Sequence, residues 1–403
     1  MKADLGALMR ILTLRYDPLG TPIRHPMRPG DFVPRDVEDP SKDTETIGRH
    51  VLEDLHRKYR FQRASLSLSG GIDSRLTLSM LRKFLPDVKI NCISVGFGET
   101  DDETSSAREA ARLHDSDFSE LMLDDVLVDL PKLIGIIGEP RWNLYHYYSF
   151  ELGRKTSDVF FTGDGGDEMF GGYTFRYQKF LTLVPKGARW KAKAKLYLEC
   201  HERDWVVDQA KMFGSAIRFS WEKIYQLLKT SFDNNLCPLD QVFLADFNGK
   251  LLYDWLPGNV AFARYLEMKI ESVLLSAPMI KFATHVPWGL KYDPASNTGK
   301  LPLRKLLSEY EKRPNQISKK GFSVNLVSMW KSYAREKVRY LVNKDSQVVK
   351  KNIISNRWLQ NTYGRLQDGS PDVRYINKMI SILALEVWYR LFISKTLDPK
   401  TKL

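Results

Sequence analysis

Two segments carry residues whose types and spacing could do chemistry on phosphate. The first is Ser69-Gly70-Gly71-Ile72-Asp73-Ser74. It follows the apolar run Ala64-Ser65-Leu66-Ser67-Leu68 and leads into a helical pattern that reaches Phe84. Paired glycines let the backbone curl closely around an anion. The N–H groups of a helix start point at that anion, and the helix dipole favours negative charge there. The serine hydroxyls add donors. Asp73 would repel phosphate, so its place beside such a cradle calls for a bridging cation, and Mg²⁺ suits it. Ser and Asp alone would pass as helix caps. Two successive glycines after an apolar strand would not. The segment is neither a GxxxxGK[ST] loop nor a GxGxxG fingerprint, and Gly299-Lys300 lacks the context of the former.

The second segment is Thr162-Gly-Asp-Gly-Gly-Asp-Glu-Met-Phe-Gly-Gly-Tyr173. It also follows an apolar run, Val159-Phe160-Phe161. So many glycines cost backbone entropy, and folding alone does not account for them. Asp167 is the natural second carboxylate for a cation held by Asp73. A cation-binding or flexible loop without catalysis is the plainer alternative.

The pair SGGxDS and GxGxDExFGGY resembles the synthetase domain of the asparagine synthetase family, whose members are PP-loop ATP pyrophosphatases and include beta-lactam synthetases and lasso-peptide cyclases. The resemblance covers residues 45 to 395 in order of elements, with only the motifs close. It implies ATP and Mg²⁺ as cofactors. It would place Leu68, Val95, Thr162 and Gly163 around the adenosine and Ser69, Gly70, Gly71 and Ser74 at the pyrophosphate, with Asp73 reaching the nucleotide through the metal. Asp73 and Asp167 would hold the metal. Downstream, Glu267 in Ala263-Arg-Tyr-Leu-Glu-Met-Lys-Ile270 matches a family glutamate near the reacting acyl centre, although Glu271-Ser-Val-Leu stands where the family has Pro-Phe-Leu-Asp. Gly299-Lys300-Leu-Pro-Leu-Arg304 resembles the G-K-x-x-L-R helix start. Ser318-Lys319-Lys320-Gly321-Phe322 resembles the K-x-G-F segment, with Lys319 at the family's active-site lysine. A cation there would stabilise charge developing on the phosphates. Outside that context Glu267, Lys319 and Lys320 would read as solvated surface.

The implied activity is adenylation of a carboxylate, aspartate being the simplest, then amide formation with ammonia, releasing AMP and pyrophosphate. Alternatives within the class are amide closure of the beta-lactam or lasso type and amidation of a sugar acid. A PP-loop tRNA-modifying enzyme would suit the basic charge, but the second segment speaks against it. A non-catalytic nucleotide-binding scaffold is a further reading, opposed by Asp73, Asp167 and Lys319. Family members that make their own ammonia begin with a glutaminase domain whose nucleophile is a cysteine after the initiator Met. Here position 2 is Lys2 and the first cysteine is Cys92. The expectation is therefore free ammonia, a separate glutaminase subunit or another amine. Arg75 follows Ser74 where dedicated asparagine synthetases commonly have a second Ser, which weakens the case for aspartate.

Positioning these residues takes a particular set of elements. Thr44–Tyr59 has helical spacing (Ile47, Val51, Leu52, Leu55), and Val88–Val95 reads as a strand after the first motif's helix. Thr100–Leu113 reads as a helix with Ala107, Ala110 and Ala111 on its apolar side. Strand, glycine turn, helix, strand, helix, strand is the pattern of an α/β fold. We expect a parallel sheet with helices on both faces, of the adenine-nucleotide alpha-hydrolase (PP-loop) type, plus a mostly helical C-terminal part. Ligands in such sheets sit at the carboxyl ends of the strands. The expected organisation is an N-terminal arm over 1–43, with Met9–Tyr16 as a strand, an ATP-binding core over 44–177 and a helical region over 178–403 in which strands are absent. Glu139–Tyr148 holds an aromatic cluster (Trp142, Tyr145, Tyr148) that could line an acceptor pocket or simply pack in the core.

Composition agrees with a globular protein of 403 residues, 43% hydrophobic and 27% charged, with a formal net charge of +12. A basic chain favours anionic partners, although spread charge more often means a solvated surface. Cys92, Cys200 and Cys237 are far apart and form no CxxC pair, which fits a reducing compartment. No stretch is apolar and long enough to span a bilayer. The expected setting is cytoplasmic, with small-molecule partners and neither membrane nor nucleic acid.

Overall fold

The computed structural model describes residues 3–98, 102–312, 324–367 and 371–403. The chain opens with helix α1 (Leu5–Leu14), capped by Asp4, whose carboxylate accepts from the N–H groups of Gly6 and Ala7. This corrects the expected strand over Met9–Tyr16. Leu5, Leu8, Met9 and Leu12 follow the i, i+3, i+4, i+7 spacing of a helix face. The pattern is visible only when the window starts before Met9. Helix α2 (Pro40–Tyr59) follows, with Asp39 at its N-cap.

The sheet is then built as expected from strand–helix units. Strand β1 (Arg63–Ser67) leads to α3 (Ile72–Phe84), and β2 (Lys89–Phe97) to α4 (Asp102–Leu113). Thr100, the expected start of that helix, lies outside the described residues. Strand β3 (Asp117–Leu123), helices α5 (Leu130–Ile137) and α6 (Tyr147–Arg154), strand β4 (Val159–Phe161) and the short helix α7 (Gly166–Phe170) follow. Strand β5 (Lys269–Glu271) completes a five-stranded parallel sheet in the order β3-β2-β1-β4-β5. Seven of the nine β2 residues are buried, as a strand covered on both faces requires. Cys92 is one of them, fully buried.

Neither β3 nor β5 was legible. Each lies at a sheet edge, and β5 is three residues long, too short for a periodic signal. The sheet thus draws a strand from the region expected to be helical throughout. Elsewhere that region is mostly helical, ending in the long buried helix Val373–Phe392. Among the described residues no helix is long and apolar enough to cross a membrane.

The strand order reverses between β1 and β4. Chain leaving β1 turns to one side of the sheet and chain leaving β4 to the other, which opens a crevice at their carboxyl ends. Both glycine motifs begin there.

Candidate active site

The first motif sits at the start of α3. Gly71 is its N-cap, in extended conformation. Ser69 and Ser74 lock the turn: the Ser69 N–H donates to Ser74 Oγ at 3.1 Å, and the Gly71 N–H donates to Ser69 Oγ at 3.2 Å. The turn leaves the helix start facing the crevice, a ready anion site.

The second motif presses against the first, and its glycines are what allow it. A Cβ on Gly163 would lie 2.8 Å from the Ser74 nitrogen. One on Gly166 would lie 2.3 Å from the Asp73 carboxyl carbon, and one on Gly172 would lie 1.8 Å from Asp167 Oδ1. Gly299 meets the Gly171 carbonyl oxygen in the same way, at 1.9 Å. Real Cβ atoms do not come so close, so a side chain would collide with backbone at Gly163 and Gly299 and would have to push Asp73, Asp167 or Lys300 aside at Gly166 and Gly172. The glycines are there for close approach more than for turn conformation, although Gly165 and Gly171 also adopt positive φ.

The expected metal carboxylates converge. Asp73 and Asp167 both pair with the Lys300 ammonium, which lies 2.6 Å from Asp167 Oδ1 and also contacts Asp73 Oδ2. Lys300 is buried, yet its pKa is raised, because the two carboxylates outweigh the desolvation that opposes its charge. Its backbone is left-handed (φ +58), a strained conformation for a lysine. A hydrogen bond from its N–H to the Phe170 carbonyl, at 2.9 Å, holds it there. Among the described residues no group of three or more His, Cys, Asp and Glu is placed to hold a metal ion. Two carboxylates aimed at one cationic point could nonetheless supply the protein share of a Mg²⁺ site completed by phosphate oxygens. The donor set fits Mg²⁺ in that form.

Two more acids of the second motif have fixed roles. Asp164 accepts from Thr162 Oγ1 at 2.8 Å, Trp255 Nε1 at 2.7 Å and Asn259 Nδ2 at 2.8 Å, which ties the loop to the helical region. Burial raises its pKa against these bonds. Glu168 accepts from the Tyr173 hydroxyl at 2.6 Å, and burial with the neighbouring Asp167 charge pushes its pKa up to about 7.

A single cavity of about 860 Å³ runs along this floor. Leu68, Ser69, Gly71, Asp73, Ser74, Val95, Thr162, Gly163 and Asp167 all line it. Gly70 is the one residue of the expected nucleotide set that does not. Glu267 is not brought there: it is exposed, at φ +53, before the amino end of β5, and the cleft lies at the carboxyl ends. Three extended residues, about 10 Å, separate the two ends. Glu271 occupies the carboxyl end instead and accepts from the Tyr59 hydroxyl at 2.6 Å. Lys319, with the rest of its segment, lies outside the described residues. Arg75 turns away to an ion pair with Glu311, its Nε 3.0 Å from Oε1, so its presence says nothing about the substrate.

The structure adds residues that no motif announced. His146 lines the cavity; of the aromatic cluster read from the sequence, Trp142 and Tyr145 line it too, whereas Tyr148 points to Asp129. Arg15, Lys250, Trp255 and Asn259 line it too, from segments far apart in the chain. Lys300 could have been found, since its Gly-Lys helix start was already matched to the family segment.

The fold and the paired glycine motifs define an α/β protein with a phosphate-binding cleft at a topological switch point. The asparagine synthase family model matches residues 57–390, and the chain belongs to that family. The glutamine-hydrolysing asparagine synthetase 1 of Bacillus subtilis is 24% identical over 83% of this chain and 57% of its own length. A putative glutamine-hydrolysing asparagine synthetase 2 of Methanocaldococcus jannaschii is 33% identical over 30% of this chain and 25% of its own. The chain thus spans little more than half the length of the first of these relatives. Among solved structures, an ammonia-dependent NAD synthetase of Campylobacter jejuni matches 53% of this chain and 96% of its own, at 14% identity and a TM-score of 0.29, a likeness too loose to bear on the site.

Proposed function

We propose that this chain activates a carboxylate with MgATP as an acyl-adenylate and transfers the acyl group to ammonia, releasing AMP and pyrophosphate. The observation that carries the reading is the convergence of Asp73 and Asp167 on one cationic point, beside the donor-rich start of α3. Membership of the asparagine synthase family supports it, and the names of the relatives make aspartate the simplest acceptor.

In this reading the adenosine lies over Leu68, Val95, Thr162 and Gly163. The α3 N–H groups and the Ser69 and Ser74 hydroxyls take the pyrophosphate oxygens. Mg²⁺, held by Asp73 and Asp167, would neutralise phosphate charge and favour pyrophosphate as leaving group. Lys300 is a cation already in place for the same charge, fixed before substrate arrives. Lys319 enters through its match to the family segment alone. The acid attacks the α-phosphate, and the amine then attacks the acyl carbon and expels AMP. The adenylate has to be kept from water in between, and side chains from the helical region, Trp255, Asn259, Val324 and Leu326 among them, wall the cavity. Ammonia could arrive free or from a separate glutaminase subunit.

The test is pyrophosphate release from MgATP and aspartate, with ammonium or with glutamine, followed by mass analysis. Asparagine, AMP and pyrophosphate in equal amounts are expected with ammonium. ADP and phosphate in their place would overturn the adenylation reading. Pyrophosphate with another acid alone would retain it and remove aspartate.

A further inference from the structure

The far end of the cavity is cationic in a way that the nucleotide half does not need. Arg15 lines it from the C-cap of α1, outside the residues that the family model matches. Its chain position is enforced. Arg15 is left-handed (φ 77), and its N–H closes the helix on Ile11. Lys378 donates to the Leu12 carbonyl at 2.7 Å, which satisfies an end carbonyl of α1 and locks that helix onto Val373–Phe392. Tyr16 then packs on a kink at Gly249, where a Cβ would lie 2.6 Å from the tyrosine hydroxyl. The next residue, Lys250, lines the same cavity. Arg15 and Lys250 are thus delivered to one place by two abutting segments.

Their charges are not balanced alike. Arg15 faces Asp204 at 3.5 Å and Asp254 at 4.0 Å. Lys250 has no hydrogen bond or ion pair among the described residues. Burial and the Arg15 charge both lower its pKa, against the pull of Asp254 and Asp204. Half-buried in the cleft wall, an ammonium beside a guanidinium that already shares Asp204 and Asp254 is a place where a further anion would be stabilising. His146 lines the same cavity, 6% exposed, its ring 4.4 Å from that of Trp255 and its ring nitrogens without a good hydrogen bond among the described residues. Asn259 Oδ1 is unpartnered too. Buried polar atoms in native proteins nearly always have partners, so these atoms of the cavity wall are open to a bound polar group.

We infer that Arg15 and Lys250 together hold a second carboxylate, at the far end of the acid that the cleft activates. The inference rests on the adenylation reading for the fate of the first carboxylate, but not for binding of the second. It makes the N-terminal helix, outside the matched family region, a specificity-determining part of the acceptor site.

The experiment uses the full chain and four acids: aspartate, glutamate, succinate and glutarate, each paired with the monoamide or monomethyl ester that removes one charge. Calorimetric titration without ATP reads binding, and pyrophosphate release with MgATP reads turnover. At least one diacid should bind at least ten times more tightly than its singly charged partners. That preference should vanish in Lys250→Met and fall in Arg15→Gln, with Arg15→Lys recovering part of it. In turnover the same variants should raise KM for the acid and leave KM for ATP unchanged. Lys250→Met removes a charge that has no partner, so its melting temperature should match or exceed the parent's, which separates lost recognition from lost folding. Diacids binding no better than their partners, or a preference that survives Lys250→Met, would overturn the inference. Selective diacid binding without pyrophosphate release would keep the inference and overturn the adenylation reading.

Discussion

The two halves of the cleft are built by opposite means. The nucleotide half is made of loops packed so closely that an added Cβ would clash at Gly163, Gly166, Gly172 and Gly299. Its charges are already engaged with one another, with Lys300 between Asp73 and Asp167. The acceptor half is made of side chains brought from α1, from Trp142–His146 and from the kinked segment around Lys250, and several of its polar atoms have no partner. One half is preorganised and tight. The other is roomy and electrostatically incomplete. The contrast suits an enzyme whose nucleotide chemistry is fixed and whose acceptor is set by side chains.

That contrast can be broken in several ways. The largest effect belongs to Asp73→Asn and Asp167→Asn. Each should cut pyrophosphate release at least about a hundredfold, with far-ultraviolet circular dichroism unchanged. Gly172→Ala comes next. The added methyl group must displace Asp167 and the Lys300 stem, so it should destabilise the chain by about 1–3 kcal/mol in denaturant titrations and depress turnover.

His146 gives a pH test of the acceptor half. Burial pushes its pKa down to about 3, against an ordinary value near 6.5. Between those values the unfolded chain binds the proton and the folded chain does not. The stability this residue contributes is therefore complete above pH 6.5 and is lost as pH falls. From pH 7 to pH 5 the loss is about 2 kcal/mol. His146→Gln should lose less stability than the parent over that interval, whatever its stability at pH 7. Equal losses in denaturant titrations at the two pH values would show that the ring is protonated in the folded chain.

The smallest effect sharpens the comparison. Gly258, in the helix Leu256–Tyr265, has only His146 near it, with Nε2 3.6 Å from an added Cβ, an ordinary contact. Gly258→Ala should be neutral or stabilising by up to about 1 kcal/mol. A one-carbon addition harmful at Gly172 and harmless at Gly258 would confirm that tight packing is confined to the nucleotide half.

The same contrast governs what the sequence could reveal. The nucleotide half is local. Apolar strand, paired glycines and helix lie within about twenty residues, and the physics of anion binding at a helix start joins them. Asp73 and Asp167 could be paired from chemistry alone, because an acid beside a phosphate cradle needs a cation. The acceptor half is non-local. Nothing around Arg15 or Lys250 predicts that Tyr16 packs on Gly249. The β5 strand was missed for a related reason, since its partner lies more than a hundred residues upstream. Glu267 shows the hazard of a match without its flanking residues. The motif letter was present, but the strand that follows carries it to the wrong end of the sheet. The α1 helix does not show in a window that begins at Met9, after the Asp4 cap and the first two apolar residues of the stripe, Leu5 and Leu8.

The most direct test of adenylation follows an oxygen atom. With the acid labelled by ¹⁸O in its carboxylates and turned over with MgATP and ammonium, an acyl-adenylate leaves one labelled oxygen in AMP when the amide forms. Label in AMP, one atom per amide, is the expected result. Label in inorganic phosphate, with ADP as the nucleotide product, would mean an acyl-phosphate and would contradict the reading of Asp73, Asp167 and the α3 start as a pyrophosphate-releasing site.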